Sequence, residues 1–446
     1  MSVLLEALDG AYDVDRQTAD AALVRALLDV EAGLARALVR AGVAPAAAGE
    51  AIERACADLV VDPADLGRRS LAAGNPVVPL VADLGGAVPE HARGWVHRGA
   101  TSQDVLDTAL MLLAHRALGP VLASLEDAAD AAARLADEHR GTPAVAHTLG
   151  QPALPTTFGL RAAGWCAGLD ATRERLQSVR DHELAVQLGG AAGTLAAFDG
   201  TGLEVARLLA DQLGLVDPEI PWHTERSRVH ALAAALASAT AASAKVATDV
   251  VLGSAAEVGE LAEGGDEAHG GSSAMPHKRN PVTSVLVVAA SRRTPGLLAT
   301  VLAAGVHEQE RATGSWHAEW QPLRELVRLT GGAAHRTATV LSDLQVDARR
   351  MRENLDAAGP ALMAGRVATA LAGLGRSAAQ QRVRDALATA VAQGVPLRDV
   401  LLADPAVAGE CTPAELDALL DAGTYLGSAA DVVVRVLTRR RRGGAR

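Results

Sequence analysis

From Ser227 to Glu263 the chain has no proline, and between Ala231 and Ala244 it carries nothing more polar than serine or threonine. As one helix rising 1.5 Å per residue, the segment would span about 50 Å. A helix that is apolar around most of its circumference has to be enclosed by other helices. The segment therefore predicts the centre of a large helical bundle. Composition agrees: 49% of residues are hydrophobic but only 2% are aromatic, so alanine, leucine and valine fill the core. These residues favour helix, and their small side chains let helices approach closely.

Other long helical stretches follow from pattern. Leu23, Leu27, Val30, Leu34 and Leu38 recur at helical spacing between Thr18 and Ala41, with Thr18 or Asp20 as the cap and Gly42 as the stop. One stretch runs from about Gln103 to His139, interrupted at Gly119-Pro120, and another from about Phe158 to Glu183. Pro281 suits the first turn of a further helix, with Asn280 as its cap. Prolines and glycines break the pattern between Gly42 and Gly99, and helices shorten again beyond Gly359. The fold class expected is all-α in three domains: residues 1–102, a central long-helix bundle over 103–358, and a small C-terminal domain over 359–446. With 446 residues and roughly 100 to 200 per domain, the length permits this.

The net charge of -11 speaks against nucleic acid as a partner, because phosphate binding needs a basic surface. Cys56, Cys166 and Cys411 are far apart and lack metal-ligand spacing, so buried reduced thiols are expected, with no disulfide, metal or other cofactor. No run reaches about 20 uninterrupted apolar residues, and no leader pattern is evident, so no membrane association and a cytoplasmic location are expected. Arg439 to Arg442 read as a solvated tail.

The segment from Glu263 to Asn280 is an abrupt glycine-rich break between long helices. Its glycines suggest hinge-like mobility. Ser272 and Ser273 supply hydroxyls, Lys278 a cation, and the following helix free backbone N–H groups that favour an anion. Such a loop could be a plain interhelical connection or a lid that binds carboxylates and moves a proton. Gly271 to Pro281 resembles the signature of the superfamily of fumarase, aspartase, argininosuccinate lyase and adenylosuccinate lyase. His97 to Asp104 and Gln187 to Thr194 resemble that superfamily's first and second substrate-binding regions. Taken alone, Thr101 to Asp104 reads as a helix capping box with no function attached. Asp421 to Ser428 resembles the close of the third domain. The resemblance implies a homotetramer around a twenty-helix bundle, with each active site assembled from three subunits.

It also implies that Ser272 transfers a proton beside a substrate carboxylate, with Lys278, Asn280 and loop amides stabilising the alkoxide. The superfamily's lyases pair a histidine in a Thr-His-x-x-x-Ala pattern with a glutamate five residues beyond the lid asparagine. Here Leu149 and Val285 stand at those positions. Such a pair protonates a poor leaving group such as an amine. A carboxylate or nitrite, with a conjugate-acid pKa of about 4 or below, needs no such help.

Gly74 to Val78, Pro221 to His223 and Glu310 to Trp320 resemble the 3-carboxy-cis,cis-muconate cycloisomerase branch, in which a substrate carboxylate adds across a double bond and the neighbouring carbon is protonated. On that reading Ser272, Lys278 and His97 are catalytic, while Thr101, Ser102, Gln151, Ser273, Asn280, Arg311 and His317 hold a di- or tricarboxylate. The histidines taken singly could be structural, and Trp316 and Trp320 could be core packing. Pro152 departs from the branch, which has histidine there. The alternatives are a lyase with a good leaving group, such as nitrosuccinate lyase, and an adenylosuccinate lyase-like enzyme. The latter is disfavoured because the chain has two tyrosines and lacks the expected N-terminal Arg-Tyr contact. A non-catalytic structural protein of this fold is the rival outside enzymes.

Overall fold

The computed structural model describes Leu5, residues 9–265 and residues 269–443. Asp266, Glu267 and Ala268, within the glycine-rich segment, lie outside the described residues. The fold is all-α, with two short antiparallel strand pairs among the described residues. Its longest helices are α1 (Asp20–Arg40), α2 (Ser102–Glu138), α3 (Phe158–His182), α4 (Ser227–Gly253), α5 (Val282–Ala304) and α6 (Ser315–Ser342). Contacts divide it into two compact units. The first comprises Met1–Ala128, Leu169–Thr248 and Val282–Thr339; the second comprises Ala129–Gly168, Asp249–Pro281 and Val340–Arg446.

In the first unit, the leucine periodicity of α1 becomes a buried face of Leu27, Val30, Leu34 and Leu38, with Leu23 half-buried. Neither expected cap is used. The N-cap is Ala19, and the Thr18 hydroxyl donates instead to Val14 O at 2.9 Å. Gly42 does stop the helix, at φ +74° and with Val43 N–H on Leu38 O. Helix α2 runs through Gly119-Pro120 where an interruption was expected. Ala117, Leu118, Val121 and Leu122 are all buried around the proline, and their packing offsets the lost backbone hydrogen bond.

Helix α4 is shorter than the sequence suggests, ending at Gly253 rather than Glu263. The reason is local. Leu261 packs against Gly253, where a Cβ would lie 2.6 Å from Leu261 Cδ1, and Glu260 N–H returns to Gly253 O. Nor is α4 enclosed on all sides, because half of its most apolar stretch is buried in this chain. For α5 the figure is 22%. Helices α2, α4 and α5 are each long and apolar enough to cross a membrane by length and composition, which corrects the expectation that no segment qualifies. The same Ala, Leu and Val that fill a bundle core raise hydropathy, and scattered polar residues do not cancel it.

The second unit holds a hairpin that the helical reading missed. Strands β1 (Pro143–Thr148) and β2 (Gln151–Thr157) pair antiparallel, joined by Leu149 and Gly150, both left-handed at φ +51° and +80°. Two such residues make the tight turn whose twist matches a hairpin. A second pair, β3 (Leu261–Ala262) and β4 (Gln345–Val346), follows the end of α4. Beyond residue 359 short helices enclose a core of Val367, Leu371, Val383, Leu401 and Leu416. The terminal arginines lie on the helix Ala429–Gly443, with Arg439, Arg441 and Arg442 exposed to solvent and only Arg440 half-buried, paired with Asp130 at 2.8 Å. Cys56 and Cys166 are buried thiols outside any disulfide, whereas Cys411 is only half-buried.

Candidate active site

Five segments far apart in the sequence converge in the first unit. Their hub is Asp104, on the first turn of α2 and 1% exposed. One carboxylate oxygen accepts from Gly189 N–H (3.0 Å) and His223 Nε2 (2.7 Å). The other accepts from Gly190 N–H and Thr101 N–H, both at 2.9 Å. Buried carboxylates need such saturation, since each unmet lone pair costs desolvation energy. The capping box read at Thr101 to Asp104 is thus half formed, through Asp104 alone. The same side chain ties the His97–Asp104 segment to the Gln187–Thr194 segment. Gly189 is required here, because a Cβ would sit 2.7 Å from His223 Cε1.

Beside this hub lies a buried ion cluster. Arg226 donates to Asp107 (2.8 Å) and Glu319 (2.6 Å), with all three side chains 1–2% exposed. Trp316 Nε1–H donates to the second oxygen of Asp107 at 2.9 Å. Trp222 stacks under the Arg226 guanidinium at 4.9 Å. Both ring nitrogens of His307 face acceptors: Glu319 Oε1 at 3.1 Å and His223 O at 3.2 Å. Gln103 donates to Asp107 and His223 O, and accepts from Arg311 at 2.8 Å. Arg311 also reaches Ala191 O at 3.0 Å, and His317 Nε2 lies 3.1 Å from Gly74 O. Trp316 and Trp320 meet edge to face at 4.7 Å, and Trp316 is core as well as hydrogen-bonded.

On the rim of this scaffold stand His97, Thr101 and Ser102. The Thr101 and Ser102 hydroxyls are half-buried and have no hydrogen-bond partner among the described residues. With the free N–H groups at the start of α2, they form a patch suited to a carboxylate. His97 has φ +55°, and its Nδ1 lies 2.7 Å from Glu31 Oε1. Burial disfavours the charged ring, but the hydrogen bond and charge of Glu31, with the charge of Asp104, outweigh it and raise the His97 pKa.

The other predicted residues lie in the second unit. Asn280 closes the neck of the glycine-rich loop, its N–H and its Nδ2 donating to Gly270 O at 2.8 and 2.9 Å. It does not cap α5, which starts at Val282. Gly270, at φ +69°, admits no Cβ, which would lie 2.2 Å from Asn280 O. Residues 271–279 project from this neck, with Ser273 and Lys278 exposed and Ser272 half-buried. Ser272 Oγ accepts from Met275 N–H at 3.2 Å and Ala274 N–H at 3.4 Å. Gln151 is exposed beside the hairpin turn, and Leu149 at its tip is fully exposed.

Sequence reasoning missed Glu31, Asp107, Arg226 and His307, and gave no site role to His223 and Glu319 although both lie in segments singled out above. A further signal existed for Asp107. Asp104 and Asp107 share one face of α2 with Leu106, Ala109 and Leu110 around them, and charges inside an apolar helical run imply buried partners.

A protein-family model described as Lyase matches residues 12–296, and one described as Adenylosuccinate lyase C-terminus matches residues 360–436. A 3-carboxy-cis,cis-muconate cycloisomerase of Pseudomonas aeruginosa is 42% identical over 94% of this chain and 92% of its own. A nitrosuccinate lyase of Streptomyces davaonensis is 41% identical over 98% of this chain and 94% of its own. The crystal structure of the 3-carboxy-cis,cis-muconate lactonizing enzyme from Pseudomonas putida superposes with a TM-score of 0.91 at 40% identity, covering 98% of this chain and 99% of that one. The chain belongs to the fumarase and aspartase superfamily and is an enzyme of that superfamily.

Proposed function

We propose that the protein is a cycloisomerase that converts 3-carboxy-cis,cis-muconate to 4-carboxymuconolactone. The observation that carries this reading is the absence of the leaving-group acid. Leu149 and Val285 occupy the two helper positions, and relatives more than 40% identical over most of the chain are named for a reaction that needs no such acid. A substrate carboxylate oxygen bonds to one alkene carbon, and the π pair moves to the neighbouring carbon. That carbon takes the Ser272 proton, and solvent returns a proton to the alkoxide. The Ala274 and Met275 amides aimed at Ser272 Oγ support this role, since fixed donors at a developing oxyanion lower its cost.

On this reading Lys278 assists Ser272 and His97 contributes a charged donor. Thr101, Ser102, Gln151, Ser273, Asn280, Arg311 and His317 hold substrate carboxylates. Arg311 is pre-set by Gln103 and Ala191, so its guanidinium is oriented before ligand arrives. We further propose a cytoplasmic homotetramer with shared active sites, organised as residues 1–102, 103–358 and 359–446. The exposed apolar side chains Leu252, Val285 and Leu302 on α4 and α5 support burial against other copies.

A second reading is favoured by the Streptomyces relative, namely loss of nitrite from nitrosuccinate, which also dispenses with a leaving-group acid. Parallel incubations separate the two. Lactone formation from the muconate without nitrite release from nitrosuccinate supports the cycloisomerase; the reverse result overturns it.

A further inference from the structure

Glu31 is an acidic residue on the buried face of α1, among Leu27, Leu28, Val30 and Leu34, and it is 1% exposed. Its Oε1 accepts from His97, while its Oε2 is buried without a hydrogen-bond partner among the described residues. A carboxylate so enclosed is costly unless its single partner brings compensating charge. A carboxylate can only accept, so His97 Nδ1 carries the hydrogen, and the ring orientation is fixed by this contact. His97 Nε2 has no hydrogen-bond partner among the described residues, and the ring is half-buried beside the Thr101 and Ser102 hydroxyls in sequence. The backbone holds His97 at φ +55°, a conformation that residues with a Cβ seldom adopt.

The other groups around the pair do not replace Glu31 in this task. Asp104 on α2 acts on the ring through its charge alone, its oxygens being filled by three N–H groups and His223. Arg98 lies over the Trp95 ring at 5.7 Å. Cys56, on the helix Ala46–Asp58, is pushed up to about 12 by burial first and by the charge of Glu31 next, with Arg25, Asp29 and Arg36 acting on it too.

We propose that Glu31 is the positioning residue for His97, fixing the ring with Nδ1 inward and holding it charged, so that Nε2–H is presented to a substrate carboxylate. This rests on the reading above that His97 belongs to the substrate site. The charge on His97 is fully present below the ordinary histidine value of about 6.5 and is lost as pH rises through the raised value. Glu31→Gln keeps the size and an acceptor oxygen but removes the charge and the charge-assisted hydrogen bond through which Glu31 raises the ring, leaving the charge of Asp104 alone against burial.

The test follows the imidazole carbon resonances of the full-length enzyme across pH, assigned by comparison with His97→Gln, together with KM and kcat. In E31Q the His97 titration shifts to lower pH, and the rise of KM with pH shifts with it while kcat changes little. Glu31→Asp, which retains the charge, moves both back toward wild type. An unmoved His97 titration in E31Q overturns the proposal, as does a KM limb that stays in place while the protein is merely less stable. If the ring titration shifts but KM has no such limb in any variant, the pairing stands and the placing of His97 at the substrate is wrong.

Discussion

Removing Arg226 should be among the most damaging single changes in the chain, and the cause should be stranded charge. Its guanidinium serves two carboxylates at once, Asp107 and Glu319, through contacts of 2.6 to 3.3 Å. All three side chains are at most 2% exposed, so neither carboxylate can turn to water after Arg226→Ala. Breaking one buried pair by deleting a partner costs about 3 to 5 kcal/mol. Here a single cation compensates two anions, which places the variant at the upper part of that range. By contrast, Arg69→Ala removes an exposed bridge to Asp65 and Asp83, screened by solvent, and should shift the unfolding midpoint little. A triple variant, Asp107→Asn, Arg226→Gln and Glu319→Gln, strands no charge and should lose less than Arg226→Ala alone. Urea unfolding followed by tryptophan fluorescence reads this directly, because Trp222 and Trp316 both touch the cluster. The reasoning is refuted if Arg226→Ala unfolds at the same urea concentration as Arg69→Ala, or if the neutral triple falls as far as the single.

Gly99→Ala should destabilise by about 1 to 3 kcal/mol in the same assay, since Gly99 has φ +78° and a Cβ there would lie 2.4 Å from Phe198 Cζ. Asp104→Asn should lower kcat/KM by more than tenfold, because an amide NH2 would face N–H donors now satisfied by carboxylate oxygens; steady-state kinetics with a matched far-ultraviolet spectrum checks it. In native protein at pH 8, a thiol reagent should modify the half-buried Cys411 before Cys56, which is buried and has its thiolate suppressed; mass spectrometry of the peptides gives the order.

The long helices were legible because their signal is local: leucines at helical spacing, missing prolines and a terminating Gly42 all act within one element. What was lost depends on contacts the sequence does not print. The early end of α4 follows from Leu261 biting on Gly253, and the hairpin turn at Leu149-Gly150 from a non-glycine residue in the left-handed region. For the site, the glycine-rich loop and the start of α2 were visible as motifs. The charges beneath the start of α2 were not, because Glu31, Asp107, Arg226 and Glu319 are defined by partners 66 to 119 residues away. Asn280 shows the limit within a recognised motif. Its sequence position suits a helix cap, yet its side chain closes the neck of the loop on Gly270.

The central claim is that Ser272 supplies the proton in a cycloisomerisation. It is tested most directly by mixing the enzyme with 3-carboxy-cis,cis-muconate and following the ultraviolet absorbance of the diene, for wild type and Ser272→Ala side by side. Ser272 is half-buried on a projecting loop, so the alanine variant should keep its unfolding midpoint. The account predicts loss of absorbance with wild type and, for Ser272→Ala, a rate lower by at least about a hundredfold, the usual worth of a positioned proton donor. No turnover by wild type, or turnover by Ser272→Ala at the wild-type rate, would contradict it.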